Sequence, residues 1–305
     1  MTLAAFLLIV TSIVMHSLWH FLSKSSGKPS FAFFSIFSFS LFCTLLPLAL
    51  CSGYVGRIPW EVAKFAIAGG LCGALCDAGL IYAYKYSDIS LAYPTARALP
   101  VFFTLLLTTV FHWGKSLSAV TFAGMLIIFA GCMMMAFSND KNSMSAGEKV
   151  AFIRKALPGI MIAACSTTAY TVIDSFGINA MMKFAQGSNP LLAASAYSLT
   201  RELPATIILS LCAFIRFLCG RDRGAFTSLV KSYHSYLAGF SAAGAYLLIL
   251  IAMSKVSNVS YVQSFRQLSL PFSAFLGWYF LKEKITPFRW AALATIMVGL
   301  FVAVI

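Results

Sequence analysis

The chain has 305 residues, of which 60% are hydrophobic and only 10% charged, with a formal net charge of +13. A soluble domain carries about 25% charged residues, so the composition excludes a globular soluble protein and points to a polytopic membrane protein with the lipid bilayer as its main partner. The basic residues are scattered through short loops and have no soluble face to gather on; this excludes nucleic acid as a partner and leaves membrane topology as their role.

A membrane-crossing helix needs about 20 predominantly apolar residues. Ten segments meet that requirement: 3–22, 31–51, 62–84, 89–111, 118–137, 157–177, 190–217, 236–255, 259–281 and 287–305. The first follows Met1-Thr2-Leu3-Ala4, which has neither a basic region nor a small-residue cleavage site, so it reads as a retained helix. It carries His16 and His20 four residues apart on one face, with Trp19 turned elsewhere toward lipid or packing. That spacing suits a metal, but no third ligand is evident, so the histidines are expected to line a polar cavity. The fourth segment contains Tyr93, Pro94, Arg97 and Pro100, and the sixth places Tyr170 and Asp174 on one face. In the seventh, Arg201 and Glu202 are adjacent and expected to diverge, Glu202 to the interior and Arg201 to a helix partner. The ninth holds Arg266, Gln267 and Pro271. Prolines free backbone carbonyls one turn back, so the fourth and ninth helices are expected to bend.

Trp60, Trp113, Tyr233, Tyr236 and Trp290 stand near helix ends as interfacial anchors. Ala66-Ile67-Ala68-Gly69-Gly70 and the stretch 239–244 allow close helix approach. None of the eight cysteines forms a C-x-x-C pair; Cys72 and Cys76 share a helix face and read as small apolar residues. No metal and no cofactor is expected.

The most polar linker divides the chain into a first five-helix repeat (1–138), the linker itself (139–156) and a second repeat (157–305). Lys85-Tyr86-Ser87-Asp88-Ile89-Ser90 aligns with Lys255-Val256-Ser257-Asn258-Val259-Ser260, Lys115-Ser116-Leu117-Ser118 with Glu283-Lys284-Ile285-Thr286, and Gly131 with Gly299. An odd number of crossings per repeat makes the second copy enter from the opposite side. The predicted fold is therefore an all-α membrane protein of ten transmembrane helices arranged as two inverted five-helix repeats, a build used by secondary transporters with a midplane site.

Arg97 lies eight residues into its segment, about 12 Å, and Arg266 seven into its own, about 10 Å. Both therefore fall near the middle of a hydrocarbon core about 30 Å thick. A charge at that depth costs at least about 2.5–3.5 kcal/mol. A chain that carries two such charges in equivalent places is expected to use them, and a guanidinium fork grips a carboxylate or phosphate with two parallel hydrogen bonds. The alternative is structural pairing with Asp77, Asp174 or Glu202. Asp174 itself can serve as counter-ion, proton carrier or ligand. Basic residues are concentrated in the linkers after odd-numbered segments, which places those linkers in the cytoplasm and both termini outside.

These residues resemble motifs of the EamA-type transporters of the drug/metabolite transporter superfamily. The matching stretches are His16-Ser17-Leu18-Trp19-His20 with Lys24; Tyr93, Pro94, Ala96, Arg97 and Pro100; Thr168-Ala169-Tyr170-Thr171-Val172-Ile173-Asp174; and Arg266, Ser269, Leu281 and Glu283. The likeness covers essentially the whole chain. Three positions depart from the pattern: His20 replaces Asn, Gln267 replaces Glu, and Lys115 stands where Glu is common. The change at Gln267 puts a proton-coupling role there in question. The resemblance implies a carrier of small metabolites in the inner (plasma) membrane with both termini in the cytoplasm, opposite to the orientation from charge. The expected function is secondary transport of a small, anionic metabolite by alternating access, with a proton as a possible coupling partner. Arg97, Arg266, Tyr93, Tyr170, Asp174, His16, His20 and Gln267 are the expected substrate-binding residues, and none is expected to be catalytic. The competing readings are an intramembrane enzyme with a histidine base, which lacks an acid partner or nucleophile at matching depth, and a sensor or scaffold without flux.

Overall fold

The computed structural model describes residues 2–25, 30–86, 89–137, 146–220, 223–281 and 286–304. All regular structure among these residues is helical: α1 (Leu3–Ser25), α2 (Phe31–Cys51), α3 (Trp60–Tyr86), α4 (Ile89–Val110), α5 (Ala119–Phe137), α6 (Ala146–Phe184), α7 (Pro190–Leu218), α8 (Arg223–Lys231), α9 (Tyr233–Met253), α10 (Val259–Phe265), α11 (Ser269–Leu281) and α12 (Pro287–Val304). A 3-10 turn, Arg266–Leu268, joins α10 to α11. Six of the described helices are long and apolar enough to cross a membrane: α2, α3, α6 from Arg154, α7, α9 and α12. Shorter apolar stretches lie in α1, α4 and α5.

Side chains at the boundaries explain where several helices begin. Ser30, Asn189, Ser232 and Asn258 precede α2, α7, α9 and α10, and each accepts a backbone N–H from the first turn. Pro190, the first residue of α7, needs no N–H partner there. Two features depart from the sequence expectations. The polar linker is helical from Ala146, which lengthens α6 to 39 residues, and α8 forms where no membrane-length apolar run exists.

The chain divides into two compact units that do not follow the sequence halves. Unit 1 comprises Leu75–Thr168 and Ser257–Ile305 (with Met1), and unit 2 comprises Thr2–Ala74 and Ala169–Val256. In unit 1, α5 packs along α12 and α4 packs on both α5 and α10. The α5–α12 seam depends on glycine: a Cβ at Gly299 would stand 2.6 Å from the Ile128 nitrogen and 2.8 Å from the Gly124 oxygen. The same holds where α3 and α6 cross in this unit, since a Cβ at Gly159 would lie 2.6 Å from the Gly79 oxygen. Backbone approach of this kind gains dispersion contacts that lipid cannot outcompete.

In unit 2, α1 packs on α9 and α2 on both α7 and α9. Hydroxyls join these helices: Ser12 donates to the Ala245 carbonyl at 2.8 Å, Ser38 meets Thr206 at 2.8 Å, and Ser35 donates to Ser210 at 3.1 Å. Helix α7 shows the inside-out polarity of a membrane helix. Leu203, Ile207, Leu211, Phe214 and Leu218 form its exposed stripe, while Tyr197, Ser198, Arg201 and Glu202 are buried. An exposed apolar stripe opposite a buried polar one fits hydrocarbon outside the protein, not water.

Candidate functional site

The predicted residues fall into separate clusters, one in each unit. In unit 1, α4 and α10 run antiparallel. Lys115 N–H donates to the Ser257 carbonyl at 2.9 Å, and Thr108 meets Ser260 at 2.7 Å. Farther back along α4, Arg97 reaches the far end of α10, where its Nη2 donates to the Arg266 carbonyl at 3.2 Å and its Nε to Gln267 Oε1 at 3.4 Å. Arg97 thus contacts the Arg266–Gln267 segment within one unit, through the Arg266 backbone and the Gln267 side chain. Arg97 is half-buried, and Arg266 and Gln267 are buried.

The 3-10 turn follows from local chemistry. Pro271 has no N–H to offer the Gln267 carbonyl four residues back, and its ring crowds that oxygen. The ladder tightens over Arg266–Leu268, and the Ser269 N–H turns back to the Arg266 and Gln267 carbonyls. Ser269 Oγ also donates to the Arg266 carbonyl at 2.8 Å. Proline therefore breaks the ninth segment as expected, whereas α4 runs helical through Pro94 and Pro100 with no such turn. One turn beyond the Thr108–Ser260 pair, toward Arg97, stand Thr104 and Ser264; both hydroxyls are fully buried and have no hydrogen-bond partner among the described residues. The Arg97 guanidinium and the buried hydroxyls along this antiparallel helix pair are hydrogen-bond donors of the kind an oxyanion takes.

Unit 2 holds Asp174 and Tyr170, along with groups the sequence did not assign. Asp174, fully buried on α6, accepts three hydrogen bonds: from Arg201 Nε at 2.7 Å, Tyr197 Oη at 2.8 Å and Tyr246 Oη at 2.5 Å. Arg201 Nη1 bonds Glu202 Oε1. The Arg201 guanidinium also lies over two rings, 4.4 Å from the Tyr246 centroid and 5.1 Å from that of Tyr170. The glycine stretch of α3 makes room for the group, because a methyl at Gly69 would strike Asp174 Oδ1 and one at Gly70 would strike the Arg201 carbonyl. Two expectations are corrected here. Arg201 does reach a helix partner, Asp174 on α6, and Glu202 is buried, but the two do not diverge: the long arginine arm also folds back to its neighbour. Asp174 and Glu202, named as structural partners for Arg97 or Arg266, are joined to Arg201. Tyr197 precedes Arg201 by one helical turn, a readable spacing; Tyr246, on α9, carries no sequence signal at all.

His16 belongs to unit 2, where its Nδ1 accepts the Trp19 indole N–H at 3.1 Å. The Trp19 ring also packs 5.2 Å from Phe37. Trp19 is therefore a partner of His16, against the expectation that it faces elsewhere, because three residues of helix bring the two side chains within reach. Tyr93 and His20 are helical, but their side chains lie outside the described residues, as do Glu283 and its lysine neighbours.

With the buried charges on an all-helical, apolar frame, comparison with known proteins gives the family. The model of the family described as "Sugar transport protein" matches residues 23–305. The chain belongs to the sugar transport family. This family is drug/metabolite-transporter-like, and membership marks the chain as a multi-pass membrane transporter. No curated protein matches the chain. One solved structure, described as "Crystal structure of protein", superposes with a TM-score of 0.71 at 20% identity, covering 99% of this chain and 97% of that one. That likeness extends the sugar transport chain's fold to nearly its full length. Family and fold together point to a transporter rather than an enzyme.

Proposed function

We propose that the protein is a secondary transporter of EamA type that carries a small anionic metabolite across the inner (plasma) membrane by alternating access. Arg97 and Arg266 are its principal ligands for the anion, and Gln267 and Tyr93 lie beside them in the chain. The observation that supports this reading is the junction of the Arg97 guanidinium with the broken helix at Arg266–Gln267, two segments from different sequence halves meeting in one unit. A helix break inside a membrane protein is tolerated where it lines a cavity or rests on protein. The family description names sugars, and a sugar bearing a phosphate or carboxylate satisfies both that description and the guanidinium chemistry.

The build we infer is two inverted repeats, 1–138 and 157–305. Helix pairing supports it: α2 packs with α7, α4 with α10 and α5 with α12, while α1–α9 is mirrored by α3–α6 when the halves are exchanged. The test begins with a metabolite panel, since a ligand that binds the folded state raises its melting temperature. The best ligand is then followed in proteoliposomes. Arg97→Ala and Arg266→Ala are expected to abolish flux while the protein stays folded. Wild-type flux through both variants refutes the site.

A further inference from the structure

The cluster in unit 2 carries an unequal charge count. Two carboxylates, Asp174 and Glu202, share one guanidinium, Arg201, and side-chain exposure across the three is at most 8%. Burying a net charge is costly, and a group that cannot find a counter-charge takes up or gives up a proton instead. The hydrogen bonds show which acid is the surplus one. Asp174 accepts three hydrogen bonds, from Arg201, Tyr197 and Tyr246. Glu202 takes one hydrogen bond among the described residues, from an arginine that Asp174 already neutralises.

We infer that Glu202 is a proton-binding site: its carboxyl group is protonated in the folded protein at neutral pH, which leaves the Asp174–Arg201 pair neutral beside it. The charged groups that act on it are Arg201 on α7 and Asp174 on α6; around that pair stand Tyr170 on α6, Tyr197 on α7, Tyr246 on α9 and Cys72 on α3. Helix α2, packed against α7, contributes the hydroxyls of Ser35 and Ser38 to that seam, at Ser210 and Thr206. Among the described residues named here, none supplies a second cation. Glu202 is twelve residues into α7, about 18 Å along a helix of 29 residues, so the proton sits near its middle. Its use as the coupling proton rests on the transporter reading above; its presence does not.

The experiment is infrared spectroscopy of the purified protein in detergent at pH 7. A protonated-carboxyl stretch is expected, and it should shift when glutamate carboxyl carbons are labelled with 13C but not when aspartate carbons are. Glu202→Gln should remove that one band. A spectrum without a glutamate-sensitive band, or a band that persists in Glu202→Gln, overturns the assignment. A glutamate band that disappears when sodium chloride is added at fixed pH gives the site to a metal cation and also overturns it. If Glu202→Gln fails to fold, the labelled wild-type spectrum alone still decides whether a glutamate holds a proton. Because these readouts need no substrate, they stand or fall separately from the flux test.

Discussion

Tyr246→Phe removes one hydroxyl and nothing else from the unit 2 cluster. The ring remains, so its contact with the Arg201 guanidinium at 4.4 Å persists; what is lost is the 2.5 Å hydrogen bond to Asp174. A hydrogen bond to a charged group contributes about 1.5–3 kcal/mol in water-soluble proteins. Inter-helix bonds in membrane proteins average about 0.6 and reach about 1.7 kcal/mol, because the unfolded chain in the membrane also finds partners. The acceptor here is a fully buried carboxyl group and the bond is short, so the high end of the membrane range applies and about 1.5 kcal/mol is expected. Tyr170→Phe is the matched control. Its ring also lies over Arg201, but its hydroxyl makes no hydrogen bond among the described residues, so the change should stay within about 0.5 kcal/mol. Equilibrium unfolding in mixed micelles with rising dodecyl sulfate, followed by near-ultraviolet circular dichroism, measures both. Equal stability of the two variants would refute the claim that hydroxyl donors hold Asp174 in place.

Gly299→Val places a branched side chain where even a Cβ lies 2.6 Å from the Ile128 backbone, so the α5–α12 seam must open; a loss of at least about 1–3 kcal/mol in the same unfolding assay is expected. Asn258 both caps α10 through the Ser260 N–H and donates to the Lys115 carbonyl at 3.1 Å, and Asn258→Ala should cost about 1–2 kcal/mol by that measurement. Pro271→Ala restores the missing N–H and should convert the 3-10 turn to α-helix. Amide exchange across residues 266–271 should slow and stability should rise by up to about 3 kcal/mol, while flux falls as the Arg266 carbonyl leaves Arg97.

The all-helical frame was legible because membrane spans are written in composition: Phe31–Cys51 and Tyr233–Met253 are predominantly apolar, and their caps mark where they start. The broken ninth segment was legible from Pro271, a local cause with a local effect. Arg97 and Arg266 stand out in the sequence because they sit at similar depths in equivalent segments, and the Arg97 guanidinium reaches the Arg266 carbonyl. The unit 2 cluster was only half legible. Asp174 and Tyr170 share a helix face, but their partners arrive from α7 and α9, and a tyrosine in an apolar helix gives no sign of what its hydroxyl will meet. The fold of Arg201 back to Glu202 was missed because adjacent residues on a helix ordinarily point apart; a long guanidinium arm between two acids overrides that geometry. The α8 helix was missed because it owes its place to packing on α7 and α9, not to length or hydropathy.

The 3-10 turn at Arg266–Leu268 is also a gearing between two stretches of helix. A residue in 3-10 form advances about 2.0 Å and turns 120°, against about 1.5 Å and 100° in α form. If those three residues changed form together, α11 would rotate by about 60° and travel about 1.5 Å relative to α10. The aromatic ridge of Phe275, Trp278 and Tyr279 would swing with it, so a small rearrangement beside Arg97 would be felt as a screw motion on the exposed surface of the helix.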